Sequence, residues 1–417
     1  MPQLTSLEPV RVVEGGRLWL RGGGFPQPES TADLVTIGGL PARLAFASPD
    51  RLAVVVPAGL DGGDTPVKVA WVPGATLYAR VGALLATGLH QVDNPVFGAD
   101  GALYVTYSGS RGQEASVSVF RIPANGGARE PFVHGLVNPT SMALGPDGRL
   151  YVSSRFEGRV YRVFDDGRYE VVASDLGVAC GLAFDAEGVL YVGDRGGTIF
   201  RVHPSGRAEI FATVPSSVAA FHLAMSPDGF LYVSAPTLAS YDSVRRISPN
   251  GTVETLATPF GRPQGLAFDK TGTLHVVEAL AGASGVYALR QGAAPELIVA
   301  GAGLIGLAFG PGGQLAVASN ESIYLFPADQ SSAPSDVASG RSRISPPDVA
   351  SGFSRTSSSG VAKADSRTSP PDVVSGFSRI SSSGVAAAAS RTSPPDVVSG
   401  FSRTSSSATA AGPTHSL

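Results

Sequence analysis

The stretch GPDGRLYV, residues 145–152, contains a turn sequence followed by an apolar segment, and similar stretches recur along the chain. The six copies are GADGALYV (98–105), GPDGRLYV (145–152), DAEGVLYV (185–192), SPDGFLYV (226–233), DKTGTLHV (269–276) and GPGGQLAV (310–317). The last glycines of successive turns are 47, 40, 41, 43 and 41 residues apart. A repeat at this spacing indicates a protein built from one supersecondary unit of about 42 residues.

Each unit contains four apolar segments separated by turn residues. Pro-Asp-Gly favours a type I turn in which the final glycine takes a left-handed conformation. Apolar segments such as GLAF before the turn and LYV after it predict a hairpin, and two more segments complete the unit, for example RVYRVF (159–164) and YEVVAS (169–174). Four antiparallel strands in about 42 residues are typical of a β-propeller blade.

The number of strands predicts how the ring closes. The sixth unit ends after its third apolar segment, SIYLFP (322–327), whereas a fourth-strand segment, GALLAT (82–87), precedes the first unit. Pairing of these segments would complete the sixth blade from both ends of the domain and leave no exposed terminal edge. We therefore predict an all-β chain with a six-bladed β-propeller over residues 77–328.

The repeats resemble the six-bladed propellers of the NHL-repeat and gluconolactonase-like (SMP-30) superfamily. The resemblance is carried by GLAFDAEGVLYVGDR (181–195) and GLAFDKTGTLHVVEA (265–279), and it extends over the whole repeat region. Because this superfamily includes lactonases, lyases and binding modules, the resemblance implies a fold and leaves the function open.

Residues 1–76 follow a different pattern, in which short alternating segments are separated by Gly, Pro and Asp clusters. This pattern predicts a small β-sandwich. It resembles the immunoglobulin-like TIG/IPT domain in GGRLWLRGGGF (15–25), IGGLPA (37–42) and VVPAG (55–59). Such a module either packs against the propeller as a spacer or binds a protein or glycan.

From residue 329 the sequence is repetitive. Three copies of a 24-residue unit begin at Ser342, Ser366 and Ser390, and each contains one phenylalanine among Ser, Pro, Gly and Ala. So little apolar area cannot offset the entropy of the chain. We predict a disordered extension over residues 329–417, and a binding tail that uses its phenylalanines is the alternative.

Composition limits the partners and the compartment. The net charge of −3 gives no reason to expect nucleic acid or an anionic membrane, and Cys180 alone cannot form an intrachain disulfide. The first residues lack the features of a signal peptide, and no segment approaches the roughly 20 apolar residues of a membrane span. We expect a monomer, and these features leave the compartment open: the cytoplasm is the default, and an extracytoplasmic location is the alternative if a leader has been removed.

Candidate binding residues follow from the geometry of a propeller. The start of the first strand and the end of the second strand of every blade lie on one face, around the channel mouth. The first position carries Asp93, Thr140, Cys180, Phe221, Gln264 and Ile305, and polar residues at the second are Tyr107, Arg155, Asp194, Arg195, Glu278 and Asn320. We predict that a ligand contacts Asp93, Arg155, Asp194, Arg195, His222, Gln264 and Glu278.

Structural roles are the alternative for several of these residues. Asp194 and Arg195 would then form salt bridges with charges of neighbouring blades, including Arg155. His222 would be a hydrogen-bonded residue of the channel, and Cys180 a small buried hydrophobic residue.

The gluconolactonase-like resemblance implies one divalent cation, Ca²⁺ or Mg²⁺, held at the mouth by oxygen ligands. The positions that would supply Asn and Asp ligands carry Thr140, Cys180, Phe221 and Gln264 here, and Asp93 is the carboxylate among the first-strand residues. Asp194 and Glu278 are the other candidates for a metal site. This departure from the family pattern weighs against a metal cofactor.

Three functions are therefore open. The leading hypothesis is non-catalytic binding of a small polar ligand or a peptide at the channel mouth. A metal-dependent lactonase-like hydrolase or lyase, and recognition of a protein or glycan by the N-terminal module, are the alternatives.

Overall fold

The computed structural model describes residues 1–26, 34–280 and 282–328, apart from the side chains of 257–259. This part of the chain is all β, and none of its residues forms a helix that could span a membrane. The extension predicted for residues 329–417 lies outside the described residues. The first ten strands are β1 (Gln3–Glu8), β2 (Arg11–Val12), β3 (Arg17–Gly23), β4 (Val35–Ile37), β5 (Leu40–Pro41), β6 (Arg43–Ala47), β7 (Arg51–Val55), β8 (Gly63–Val69), β9 (Leu77–Val81) and β10 (Ala83–Ala86).

The repeats form six antiparallel units of four strands. Sheet one contains β11 (Val96–Phe97), β12 (Leu103–Thr106), β13 (Val119–Ile122) and β14 (Glu130–Val133). Sheet two contains β15 (Pro139–Leu144), β16 (Leu150–Ser154), β17 (Arg159–Val163) and β18 (Tyr169–Ala173). Sheet three contains β19 (Ala179–Phe184), β20 (Leu190–Asp194), β21 (Thr198–Val202) and β22 (Ala208–Thr213).

The last three units follow the same order. Sheet four contains β23 (His222–Met225), β24 (Leu231–Ser234), β25 (Asp242–Ile247) and β26 (Val253–Phe260). Sheet five contains β27 (Pro263–Phe268), β28 (Leu274–Glu278), β29 (Gly285–Leu289) and β30 (Glu296–Ala300). Sheet six contains β31 (Leu304–Phe309), β32 (Leu315–Ser319) and β33 (Ile323–Phe326), and β10 pairs antiparallel with β33 as its fourth strand.

The first strands of the six sheets contact one another in cyclic order. Each first strand contacts the first strand of the next sheet, in the order β11, β15, β19, β23, β27 and β31, and β31 contacts β11. Between each pair of neighbouring sheets the described residues form one hydrophobic cluster, such as the cluster of sheets three and four around Phe221 and Val233. Four-stranded sheets in this arrangement are consistent with a propeller.

The turn chemistry predicted from the repeats is confirmed. The last turn glycines, Gly101, Gly148, Gly188, Gly229, Gly272 and Gly313, all have φ between 74° and 83°. Each also donates its N–H to the carbonyl three residues earlier, as Gly148 does to Gly145 at 3.0 Å. A side chain at this left-handed position would cost about 1–2 kcal/mol, which explains why the glycine recurs.

The described residues up to Val81 form two sheets over a shared core. One sheet has the order β1-β3-β7-β6, and the other places β5, β4, β8, β9 and β2 side by side. Buried side chains from both sheets, including Leu20 and Val67, form one hydrophobic cluster. The second sheet continues into sheet five, because β2 pairs in parallel with both β9 and β30.

Candidate functional site

A cavity of about 400 Å³ lies where the first strands begin and the second strands end. All six sheets, or the loops that lead into them, contribute residues to the wall of this cavity. The lining includes Gln91, Val92, Thr140, Arg155, Cys180, Arg195, Ala219, Ala220, Arg262, Gln264, Ala279, Gly303, Ile305 and Asn320. This is the position at which the repeat pattern places a channel mouth.

The seven residues predicted to bind a ligand fall into three groups. Arg155, Arg195 and Gln264 line the cavity. Asp93 and His222 are buried and are linked to the cavity through Gln264. Asp194 and Glu278 are absent from the lining, although the residue that follows each of them, Arg195 or Ala279, belongs to it.

Asp93, His222 and Gln264 form a hydrogen-bonded chain. His222 Nδ1 lies 2.5 Å from Asp93 Oδ1, and His222 Nε2 lies 3.1 Å from the side-chain oxygen of Gln264. The exposed fraction of His222 is 0% and that of Asp93 is 2%, so their polar groups depend on these partners. Asp93 Oδ1 also accepts from the Asn94 N–H at 2.7 Å. Gln264 is the member of this chain that reaches the cavity.

The carboxylates of Asp194 and Glu278 bind backbone. Asp194 Oδ1 accepts the Val178 N–H at 2.7 Å. Glu278 accepts three N–H groups, from Gly261 at 2.6 Å, Arg262 at 2.8 Å and Leu280 at 2.7 Å. Each carboxylate thereby holds the loop that leads into the first strand of its own sheet.

The approach of Asp194 to its loop is close. A Cβ atom added at Gly177, whose φ is +64°, would lie 2.8 Å from the Asp194 carboxyl carbon. A side chain at position 177 would clash with the Asp194 carboxylate, and the positive φ disfavours any residue other than glycine. The loop ahead of β19 is therefore fitted to the Asp194 carboxylate.

Three arginines give the cavity its charge. Arg155 and Arg195 occupy equivalent positions after β16 and β20, and Arg262 precedes β27. Burial lowers the pKa of Arg155, and the charges of Arg195 and Arg111 lower it further. None of the three lining guanidinium groups forms an ion pair with a described residue, so the interblade salt bridges considered for Arg155 and Arg195 do not occur within this part of the chain.

Cys180 lies in the cavity wall with an exposed fraction of 1%. Burial raises the pKa of its thiol to about 12. A thiol with this pKa is protonated near neutral pH and is a poor nucleophile. The interpretation of Cys180 as a small buried residue agrees with its place in the hydrophobic cluster of sheets three and four.

Arg262 and Gln91 were missed by the sequence reasoning. Each lies two residues before the candidate at the start of the first strand, Gln264 or Asp93. Both line the cavity. Because Arg262 lies just before β27, which begins at Pro263, the alternation of the strand does not reach it. Only its fixed distance from the turn glycine indicates its place.

The donor set does not fit a divalent cation. Among the described residues no three His, Cys, Asp or Glu side chains are grouped to hold a metal ion. The carboxylates of Asp93, Asp194 and Glu278 accept hydrogen bonds from separate partners, and arginines line the cavity. Hard cations need several converging oxygen ligands, which these groups do not provide.

No family model and no curated protein matches the sequence. Among solved structures, an auxiliary nutrient binding protein from Bacteroides thetaiotaomicron is 12% identical over 78% of this chain and 97% of its own, with a TM-score of 0.47. A virginiamycin B lyase from Staphylococcus aureus is 14% identical over 59% of this chain and 87% of its own, with a TM-score of 0.42. A gluconolactonase-like protein is 19% identical over 59% and 91%, with a TM-score of 0.49. Similarities at this level say nothing about what this chain binds.

Proposed function

We propose that the protein is a non-catalytic binding protein that holds a small polar ligand or a peptide in the cavity at the mouth of its propeller. The wall of the cavity supports this function, because all six sheets or the loops that lead into them contribute residues around a volume of about 400 Å³. A concave site with a few polar groups among apolar ones is the usual form of a ligand pocket.

The proposal includes the architecture that builds the site. We assign residues 77–328 to a six-bladed propeller of the NHL and gluconolactonase-like type, in which residues 82–87 complete the last blade. The cyclic contacts of the first strands and the pairing of β10 with β33 support this assignment. We assign residues 1–76 to a TIG/IPT-type immunoglobulin-like module, supported by two sheets around one core.

The seven predicted site residues act at different distances from the ligand. Arg155, Arg195 and Gln264 contact it, together with Arg262 and Asn320 of the same wall. Asp93 and His222 orient the Gln264 amide. Asp194 and Glu278 position the loops of the mouth, and Glu278 does so by accepting the backbone N–H of Arg262 itself.

The protonation of the wall supports binding without catalysis. General acid–base catalysis needs a group that exchanges a proton near the working pH. Arginine stays protonated in this range, and the pKa of the Cys180 thiol is raised to about 12. The buried His222 has both ring nitrogens directed at protein oxygens rather than at the cavity.

The test is a binding measurement with a variant in which the cavity is filled. Ala219 lies in the wall, and Ala219→Trp places an indole in the cavity. Ala186→Trp is the matched control, because Ala186 lies in the turn between β19 and β20, on the opposite face. Thermal shift is recorded with glucose, glutamate, citrate, inorganic phosphate and putrescine, and with a Gly-Glu-Gly peptide.

We expect at least one probe to raise the melting temperature of the wild type and of Ala186→Trp, and to leave Ala219→Trp unchanged. An equal response of Ala219→Trp would place the binding outside the cavity and contradict the proposal. If the wild type hydrolyses gluconolactone and Ala219→Trp does not, the proposal that the protein is non-catalytic is contradicted.

A further inference from the structure

We infer that the ligand held at the mouth carries an oxyanion, a carboxylate or phosphate group, and that Arg155, Arg195 and Arg262 bind it. This inference rests on the proposed function, since it assigns a charge to the ligand of the same cavity. Sheets two, three and five each direct one of these arginines to a single wall. Their positive charges therefore converge on the space that the ligand would fill.

Other arginines of the same sheets have carboxylate partners. In sheets one to five an arginine in or just after the third strand forms an ion pair with an acid of the fourth strand. The pairs are Arg121–Glu130, Arg162–Glu170, Arg201–Glu209, Arg246–Glu254 and Arg290–Glu296. By contrast, the side chains of Arg155, Arg195 and Arg262 form no hydrogen bond or ion pair with any residue that the structure describes.

The nearby acids do not act as direct counter-ions for these three arginines. Asp93 is bound to His222 and to the Asn94 N–H. Asp194 accepts a backbone N–H, and Glu278 accepts three. None of the described residues that line the cavity carries a carboxylate. The three arginines thus share one cavity wall, and the charge of Arg195 lowers the pKa of the half-buried Arg155.

The neutral polar groups of the wall have partners of their own. Thr140 Oγ1 donates to the Asn138 carbonyl at 3.0 Å, and Asn320 Nδ2 donates to the Gln91 carbonyl at 2.7 Å. The guanidinium groups are thus the strongest donors that remain for a ligand. Guanidinium presents two parallel N–H groups, which match the oxygens of a carboxylate or phosphate. Arg195 and Arg262 are exposed and Arg155 is half-buried, so solvent reaches all three. A neutral ligand would form no ion pair with them, whereas an anion would pair with them.

The experiment measures the affinity of two anions with isothermal titration calorimetry at fixed ionic strength. Citrate tests for a carboxylate and inorganic phosphate for a phosphate group, and glucose is the neutral comparison. The variants are Arg155→Gln and Arg195→Gln. Arg168→Gln is the control, because Arg168 has a side chain that is 81% exposed and lies in the turn between β17 and β18, away from the mouth.

We expect citrate or phosphate to bind the wild type and Arg168→Gln with the same affinity, and each mouth variant to bind about tenfold more weakly. A hydrogen bond to a charged group contributes roughly this much. The preferred anion distinguishes a carboxylate ligand from a phosphate ligand. Arg195→Lys keeps the charge and should recover part of the affinity, while the melting temperature of each unliganded variant shows that it has folded.

The outcomes separate the two proposals. Suppose that glucose binds the wild type, that Ala219→Trp abolishes this binding, and that neither anion binds. This result would overturn the oxyanion inference and leave the proposed function standing. Anions that bind Arg155→Gln, Arg195→Gln and Arg168→Gln equally would overturn it as well, since the site would then lie elsewhere. If no probe binds the wild type in a way that Ala219→Trp abolishes, both proposals are overturned.

Discussion

At the scale of single residues, His222 and Asp93 join sheets that are not neighbours. Asp93 lies in the segment that leads into sheet one, whereas His222 begins sheet four. The hydrogen bond between them, at 2.5 Å, therefore crosses the middle of the ring of first strands. The positions equivalent to His222 in the other units are occupied by Asn94, Ser141, Gly181, Gly265 and Gly306. His222 is the largest side chain at this position, which lets it reach both Asp93 and Gln264.

The importance of this contact can be measured with His222→Ala. The substitution leaves the buried Asp93 side chain with the Asn94 N–H as its remaining donor. Removing one partner of a buried polar pair leaves the other unsatisfied, and we expect a loss of about 3 kcal/mol or more in the free energy of unfolding. Urea unfolding at pH 7, followed by far-UV circular dichroism, measures this loss.

The double variant Asp93→Asn/His222→Gln is the matched comparison. It removes the potential charge and keeps neutral hydrogen-bonding groups at both positions, so we expect it to be more stable than His222→Ala. A double variant that is as unstable as His222→Ala would show that the cost arises from lost packing around His222 rather than from an unsatisfied Asp93.

At the scale of elements, the two-residue strand β2 connects the N-terminal module to the repeats. β2 pairs with β9 on one side and with β30 of sheet five on the other. Val13, directly after β2, donates its N–H to the Ala300 carbonyl at 2.9 Å and is fully buried in the cluster of sheets five and six. Ala300 in turn belongs to the core of the module. The module and sheet five thus share hydrogen bonds and apolar contacts.

This connection predicts that module and repeats unfold together. Both tryptophans, Trp19 and Trp71, lie in the first 76 residues, so tryptophan fluorescence reports the module, and far-UV circular dichroism reports all strands. We expect the two urea transitions of the wild type to coincide. Val13→Pro removes the N–H that binds Ala300 and should separate them, with fluorescence changing at lower urea.

Val13→Ala is the control for this experiment, since it keeps the N–H and removes two methyl groups. Its two transitions should still coincide at a lower midpoint than in the wild type. Separate transitions in the wild type, or coincident ones in Val13→Pro, would mean that β2 does not couple the two parts.

At the scale of the whole molecule, the described core closes without the C-terminal repeats. β10 occupies the outer position of sheet six, and six clusters fill the spaces between neighbouring sheets. Within the described residues, every sheet therefore has an apolar neighbour on both faces. The composition of residues 329–417 offers little to add to such a core.

We accordingly expect that a chain ending at Ser331 has the same melting temperature as the full chain, within the error of differential scanning calorimetry. The physical reason is that Ser-, Pro- and Gly-rich repeats bury too little apolar area to stabilise the fold. A decrease of several degrees on truncation would show that the extension contacts the core, and would identify the phenylalanines at 353, 377 and 401 as the first contacts to test.

The repeat pattern allowed much of the fold to be predicted. The left-handed turn glycines and the strands around them depend on contacts within a few residues, which the sequence displays directly. The candidate site was predictable only in part. The repeat register placed Arg155, Arg195 and Gln264 near one another, but it could not show whether an acid at the end of a second strand faces the cavity or a loop.

The all-β character, the four-stranded unit and its turns could be read from the sequence, because they follow from local conformational preference and from a pattern repeated six times. The partners of the polar groups became known only from the folded chain. Asp194 and Glu278 bind backbone N–H groups, His222 binds Asp93, and three arginines have no carboxylate partner among the residues that the structure describes. Hydrogen bonds form within about 3 Å, so these pairings depend on where distant segments meet, and no pattern in the sequence records that distance.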